Sequence, residues 1–325
     1  MTTENKPSYG GQAVLEGVMI RGQRNVAIAV RRPNGHITTQ IRPLSSLFIG
    51  SLRRLPLVRG VIMLVETLAL GMQALSYSAS VGLESSDAEE DSKPEHEELG
   101  KASMAGMMLF ALVFAIGLFF LLPLFASRPL EGAFGNDVAS NIAEGGIRMV
   151  VFIAYIFLIG RMNDIKRVFM YHGAEHMTVH AQEHDDELNI DEIRKYSPAH
   201  PRCGTAFLLT VMVVAIIVFA FVPRDPLWWL ITSRIIFIPL IAAAAYEIIR
   251  WSGRYSDNLL VSLISSPNLA LQKLTTRWPD DDQIEVAIAA MELAIKSDLL
   301  TVTLSYEGDQ EAAARHVDED DSPSL

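Results

Sequence analysis

Between residues 171 and 204 the chain gathers the side chains best suited to holding a metal ion. The run Tyr171-His172-Gly173-Ala174-Glu175-His176-Met177-Thr178-Val179-His180 separates His172 from His176 by four residues, so on a helix both imidazoles leave one face a turn apart. Two imidazoles so placed can share one ion. Glu175, beside that face, can hold a metal-bound water and take its proton. The order is H-x-x-E-H, the inverse of H-E-x-x-H. The chemistry implied is hydrolysis: zinc brings its water's pKa to about 7 and polarises a carbonyl, while the glutamate acts as base.

Such a site needs a third protein ligand, and three residues offer one. Glu247 lies 71 residues beyond His176, at the end of an apolar run. His200 and Cys203, in His200-Pro201-Arg202-Cys203-Gly204, lie closer and carry nitrogen and sulfur donors. If His172, His176, His200 and Cys203 closed around one ion, the metal would be structural, because a catalytic zinc keeps a position open for water. Two further readings compete. His172, His176, His180 and His184 recur every fourth residue, as a polar helix face along lipid headgroups would. His180 with Glu183 is a second His-x-x-Glu pair, which a two-metal site would use. Glu16, in an apolar, glycine-flanked run, is either a ligand or proton carrier, or a capping or salt-bridging residue.

The elements that must position these residues are mostly membrane helices. Half of the 325 residues are apolar, and they are clumped. Crossing about 30 Å of hydrocarbon takes roughly 20 apolar residues. Met104–Ala126, Ile142–Gly160, Thr205–Val222 and Leu227–Ile249 meet that need. Glu144 and Arg148 stand at i and i+4 in the second run and can pair near its entry end, reaching headgroup water. Arg234, inside the last run, is expected to snorkel outward or to pair with a polar group. Trp228 and Trp229 suit the interface where that run begins. Leu57–Ser80 is interrupted by Arg59, Glu66 and Gln73 and reads as an amphipathic helix on, or dipping into, one membrane face, Glu66 on its polar side.

Arginines and lysines cluster before Glu66, after Gly160 and after the last run, whereas the 127–141 and 223–226 connections carry one arginine each. The positive-inside rule then puts both termini and the histidine-rich 161–204 loop in the cytoplasm, with four crossings of a bacterial inner membrane. The net charge of −11 gathers partly in Glu84–Glu98, with eight acids and one lysine, and in the stretch after Tyr306; both read as disordered. The single cysteine excludes an intrachain disulfide. Val26–Arg31 and His36–Ile41, joined by Pro33-Asn34-Gly35, form a small N-terminal β element bracketed by Gly10, Gly11 and Gly22. Asp280–Asp282 can cap a helix over 283–296 with an apolar stripe of Ile284, Ala287, Ile288 and Met291.

Five segments, Gly10 to Gly22, His172 to His176, His200 to Thr205, Tyr246-Glu247 and Leu274 to Arg277, together resemble the YqhQ-like family of bacterial membrane proteins. The resemblance runs from about residue 8 to 296, leaving out the acidic linker and tail. It implies a multi-pass protein and a metal-dependent enzyme, an implication resting on the same histidines.

The expectation is therefore a mainly α, integral membrane protein with about four transmembrane helices and an interfacial amphipathic helix. Its parts are an N-terminal cytoplasmic β element (8–55), the interfacial helix (56–80), the acidic linker (81–101), a first transmembrane pair (104–160), the histidine-rich loop (161–204), a second pair (205–250), a C-terminal cytoplasmic helical segment (251–305) and the tail (306–325). A divalent metal, zinc, is expected on His172 and His176, completed by Glu247 or by His200 and Cys203, with Glu175 as base in hydrolysis of a peptide or amide bond. The alternative is a non-catalytic membrane factor with a structural metal that holds a membrane or cytosolic protein partner. The bilayer is the other expected partner, and no nucleic acid is expected.

Overall fold

The computed structural model describes residues 9–45, 55–83, 101–130, 136–200, 203–255 and 258–320. The acidic run Glu84–Glu98 lies outside them. The N-terminal element is a four-stranded antiparallel meander of β1 (Gly10–Val14), β2 (Gly17–Arg21), β3 (Asn25–Arg31) and β4 (Ile37–Pro43). The β3–β4 hairpin was anticipated; β1 and β2 were not. Val18, Ile20, Ala27 and Ala29 pack on one face of the sheet, and Val14, Met19, Val26, Ile28 and Val30 on the other. With both faces covered, the central strands β2 and β3 are buried nearly throughout, and β2 reads as a continuous apolar run, which is why it escapes a period-two reading.

One cover is α1 (Val58–Gly82), a continuous 25-residue helix. Ile62, Glu66, Leu70, Ala74, Tyr77, Ser78 and Val81 fall on its buried stripe, and its second half, from Leu70 to Val81, lies on the sheet. Its first half lies elsewhere: a Cβ on Gly60 would come within 2.7 Å of the Ala243 Cα. Glu66, expected on a polar side, instead faces inward at 1% exposure, with the Arg21 guanidinium 2.5 Å away. The correction follows from the sheet: the strands that cover this helix bring their own cation to the acid.

The remaining helices in chain order are α2 (Lys101–Ile116), continued by a π turn (Gly117–Leu121) into α3 (Leu122–Ser127); α4 (Asp137–Ile159); α5 (Asn163–His184); the single turn α6 (Ile190–Ile193); α7 (Gly204–Ala220); α8 (Leu227–Ile236) and α9 (Ile238–Arg254); α10 (Leu259–Thr275); and α11 (Asp281–Asp320). Three helices are long and apolar enough to cross a membrane, Val58–Gly82, Leu109–Ser127 and Asp137–Ile159, and the pair α8–α9 makes a fourth if taken together. That pair bends by 43°, at a break followed by Pro239, whose ring and missing N–H do not fit a continuous helix. The Thr205–Val222 run forms a 17-residue apolar helix, Gly204–Ala220, at the lower limit of what a crossing needs. Leu109, Phe110, Val113, Val150, Leu158 and Ile217 are more than half exposed, so the apolar helices turn hydrocarbon outward.

Inside the apolar bundle Glu144, 1% exposed, accepts from Arg148 at 2.6 Å, Arg224 at 3.0 Å and Arg234 at 3.1 Å. The i,i+4 pair forms but is buried rather than at headgroup water, because two further arginines converge on its acid. Arg148 Nε also donates to the Phe119 carbonyl at 2.9 Å, in the π turn whose altered register frees main-chain acceptors. Arg234 thus pairs inward.

The other cover of the sheet combines α5 with α11: Tyr171, Ala174, Met177 and Val179 meet Ile284, Ala287, Ala290, Met291 and Ala294 beside the strands. Asp298 on α11 accepts the Gln23 main-chain N–H at 2.8 Å and that of Arg24 at 3.3 Å, fixing the β2–β3 turn. Helix α11 runs on through Asp320, past the expected end at 296 and through the acidic stretch read as a disordered tail. Glu311-Ala312-Ala313-Ala314-Arg315 are strong helix formers, which a reading by charge alone overlooks.

Candidate metal centre

Helix α5 presents His172 and His176 with their rings 4.4 Å apart, as the i,i+4 spacing requires. Each ring is held from behind. His172 Nδ1 lies 2.9 Å from the Thr275 carbonyl at the end of α10, and His176 Nδ1 lies 2.7 Å from the Pro198 carbonyl. With Nδ1 donating to a main-chain oxygen, each Nε2 is left as an acceptor, the tautomer a metal ligand needs. Gly173 makes the first of these contacts possible: a Cβ there would stand 2.0 Å from the Arg277 oxygen, so only glycine lets the α10–α11 connection pass so close.

Cys203 meets the two rings. Its Sγ is 3.3 Å from His172 Nε2, and the donor atoms of His172, His176 and Cys203 all lie within 4.8 Å of one another. Cys203 is the N-cap of α7, where the Thr205 N–H points at its sulfur at 3.3 Å and the helix's positive end suits an anionic ligand. Glu175, 4% exposed, stands beside this group with Oε2 3.5 Å from His176 Nε2. It receives a hydrogen bond from the Gly11 main chain; burial pushes its carboxyl up and pushes the His176 imidazole down. A Cβ on Gly11 would lie 2.9 Å from Glu175 Cγ, so the strand approaches this closely because residue 11 is glycine.

These groups line a cavity of about 260 Å³ bounded by Gly10, Gly11 and Gln12 of β1, by Met63, Glu66 and Leu70 of α1, by α5, and by His200, Cys203 and Gly204. Four of the five sequence segments singled out meet at or beside it; Tyr246-Glu247 does not. The Glu247 carboxylate is bonded by the Arg59 guanidinium, Nε at 2.6 Å from Oε1, and receives the Leu57 N–H at 3.3 Å. Glu16 also lies elsewhere, in the β1–β2 turn at φ 49°, where Arg167 Nε at 2.6 Å and Tyr171 at 3.1 Å bond it and Arg167 pulls its pKa down. It docks the turn on α5, the salt-bridging alternative.

His200 is near the first group, its ring 5.7 Å from that of His176, but its donor atoms gather with those of His180 and Glu183. Gln272, fully buried on α10, holds it by accepting the His200 N–H and donating to the His200 carbonyl, both at 2.8 Å. Gln272 and the carbonyls of Thr275 and Pro198 carried no signal in the sequence, since main-chain acceptors have no residue type and a lone glutamine suggests nothing.

Two nitrogens and a sulfur, with both rings oriented from outside, form the donor set of a tetrahedral, borderline-soft ion such as zinc, so the residues present fit that metal. The fold joins a bundle of spanning-length apolar helices to a sheet-centred body carrying this histidine and cysteine group. The chain belongs to the family described as a protein of unknown function (DUF1385), which matches residues 55–297. It is 31% identical over 300 residues to the protein "Uncharacterized protein YqhQ" of Bacillus subtilis (strain 168), covering 91% of this chain and 94% of that one. No solved structure matches.

Proposed function

We propose that this is a multi-pass inner-membrane protein with both termini in the cytoplasm, and that it is a zinc-dependent hydrolase of peptide or amide bonds at the membrane face. The observation that supports this most is the outward tethering of His172 and His176 to the Thr275 and Pro198 carbonyls, which leaves both Nε2 atoms facing Cys203 beside a cavity. Because His200 groups with His180 and Glu183, this set has three protein donors among the described residues, which suits a site whose fourth position is taken by water. That favours catalysis over a closed structural shell. When bound, the metal supplies Lewis acidity to the substrate carbonyl and to water. Glu175 accepts the water's proton and passes it to the leaving amine, Gly11 holding the carboxylate in place. The cavity walls from β1 and α1 position the scissile bond and limit bulk water.

The test is metal content and hydrolysis of a peptide library by detergent-purified protein. Cys203→Ser and His172→Ala should each lose one equivalent of zinc, whereas Glu247→Gln should keep all of it. Glu175→Gln should retain zinc and lose roughly 10²–10⁴-fold in turnover. Zinc retained by Cys203→Ser and His172→Ala would refute the site. Zinc lost as expected, with no hydrolysis by wild type, would leave the partner-holding membrane factor as the better reading.

A further inference from the structure

We propose that His180, Glu183 and His200 hold a second metal ion next to the first, so that the centre is binuclear; this rests on the reading of His172, His176 and Cys203 as a metal site. The donor atoms of the three residues lie within 4.8 Å of one another, the same closeness as in the first group. Glu183 Oε2 and His200 Nε2 are 3.4 Å apart. That is long for a charge-assisted hydrogen bond, which closes to about 2.7–2.9 Å. It matches the edge between two ligands of a tetrahedral ion with bonds of about 2.0–2.2 Å.

The three side chains are also prepared as ligands. His180 Nε2 is bonded at 3.0 Å to the Ala199 carbonyl, which holds the ring in place beside Glu183 and His200. The His200 backbone is clamped on both sides by the buried Gln272 carboxamide, and its ring sits 4.4 Å from that of His180. Two imidazoles and a carboxylate are the donor set of many hydrolytic zinc sites, and without a thiolate this group suits zinc, manganese or cobalt. The two groups adjoin through the His176 and His200 rings, 5.7 Å apart, and His200 lines the same cavity as Glu175 and Cys203. A substrate in that cavity therefore meets the first group and, of the second, His200. Two adjacent ions suit hydrolytic displacement, one on the attacking oxygen and one on the leaving group or carbonyl.

Cobalt(II) loading of the detergent-purified full-length protein tests this, because a thiolate ligand gives a sulfur-to-cobalt charge-transfer band that a nitrogen and oxygen site lacks. Wild type should take up two cobalt ions per chain and show the band. Glu183→Gln, with His180→Gln as a second variant in case the first misfolds, should take up one and keep the band; Cys203→Ser should take up one and lose it. One cobalt in wild type, unchanged in Glu183→Gln, would overturn the second site and leave the first standing. A Glu183→Gln chain that loses the band with its cobalt would overturn it too, since the two groups would then be one shell. No cobalt in wild type would remove both readings together.

Discussion

Of the glycines beside the candidate centre, Gly173 has the least room for a side chain, and it carries a prediction. A methyl group there meets the Arg277 oxygen at 2.0 Å, so Gly173→Ala must push the α10–α11 connection away and with it the Thr275 carbonyl that orients His172. Metal affinity should fall roughly 10–100-fold, as it does when a ligand's outer partner is lost. Competition with a chromophoric chelator would measure it, and unchanged affinity would mean that the Thr275 contact does not orient the ring. At this scale the sequence was informative where spacing alone decides geometry: His172, Glu175 and His176 come together because four residues are one helical turn. Cys203 was expected by donor type beside His172 and His176, where it lies, whereas His200, expected with it, gathers with His180 and Glu183. Glu247 was not placed correctly by its distance along the chain, because nothing local reveals that Arg59, 188 residues earlier, claims its carboxylate.

Helices show a different division. Four apolar runs were legible as helices because length and uniform hydropathy suffice to find them, and the bend between α8 and α9 has its cause in Pro239. Glu144 was legible as one half of an i,i+4 pair with Arg148 but not as the shared acceptor of Arg224 and Arg234, which arrive from other elements. Glu144→Gln should cost about 3–5 kcal/mol, the scale for leaving buried charge without its counterion. The thermal unfolding midpoint of the purified variant checks this: a midpoint equal to wild type would mean that the three guanidiniums are neutralised elsewhere. Strands β1 and β2 illustrate the opposite limit. The pattern of β2 is that of a doubly covered strand, β1 is rich in glycine, and the covers, α1 and α11, lie too far along the chain for any local window to include them.

For the whole molecule the decisive feature is that the sheet, α5 and α11 share one hydrophobic core, so all three must lie on the same side of any bilayer. Two helices of spanning length, α2–α3 and α4, lie between α1 and α5 in the chain, and the proposed topology counts them as an even number of crossings. Helix α1 meets the length test for a span, yet its Leu70–Val81 half rests on the sheet. In the proposed topology only its first half is free to enter the membrane. Cysteines introduced at the exposed positions Val138 and Ser197 probe the arrangement in intact cells, since native Cys203 is buried. An impermeant thiol reagent should label Val138→Cys and spare Ser197→Cys. The reverse pattern would put the candidate metal centre outside the cell.

The double cover of the sheet also bears on how the protein is made. Strands β1 to β4 leave the ribosome before the helices that cover them, and the later of the two that shield Val18, Ile20, Ala27 and Ala29 begins at Asp281. At 5–20 residues per second the ribosome needs roughly 10–50 s to cover the interval, and for the later part of it α5 alone is there to cover that apolar face. The carbonyl of Thr275 and the side chain of Gln272 emerge late as well. The nascent chain thus carries its candidate metal ligands long before it can orient them, and a truncated product would hold the histidines without the grip that makes them a site.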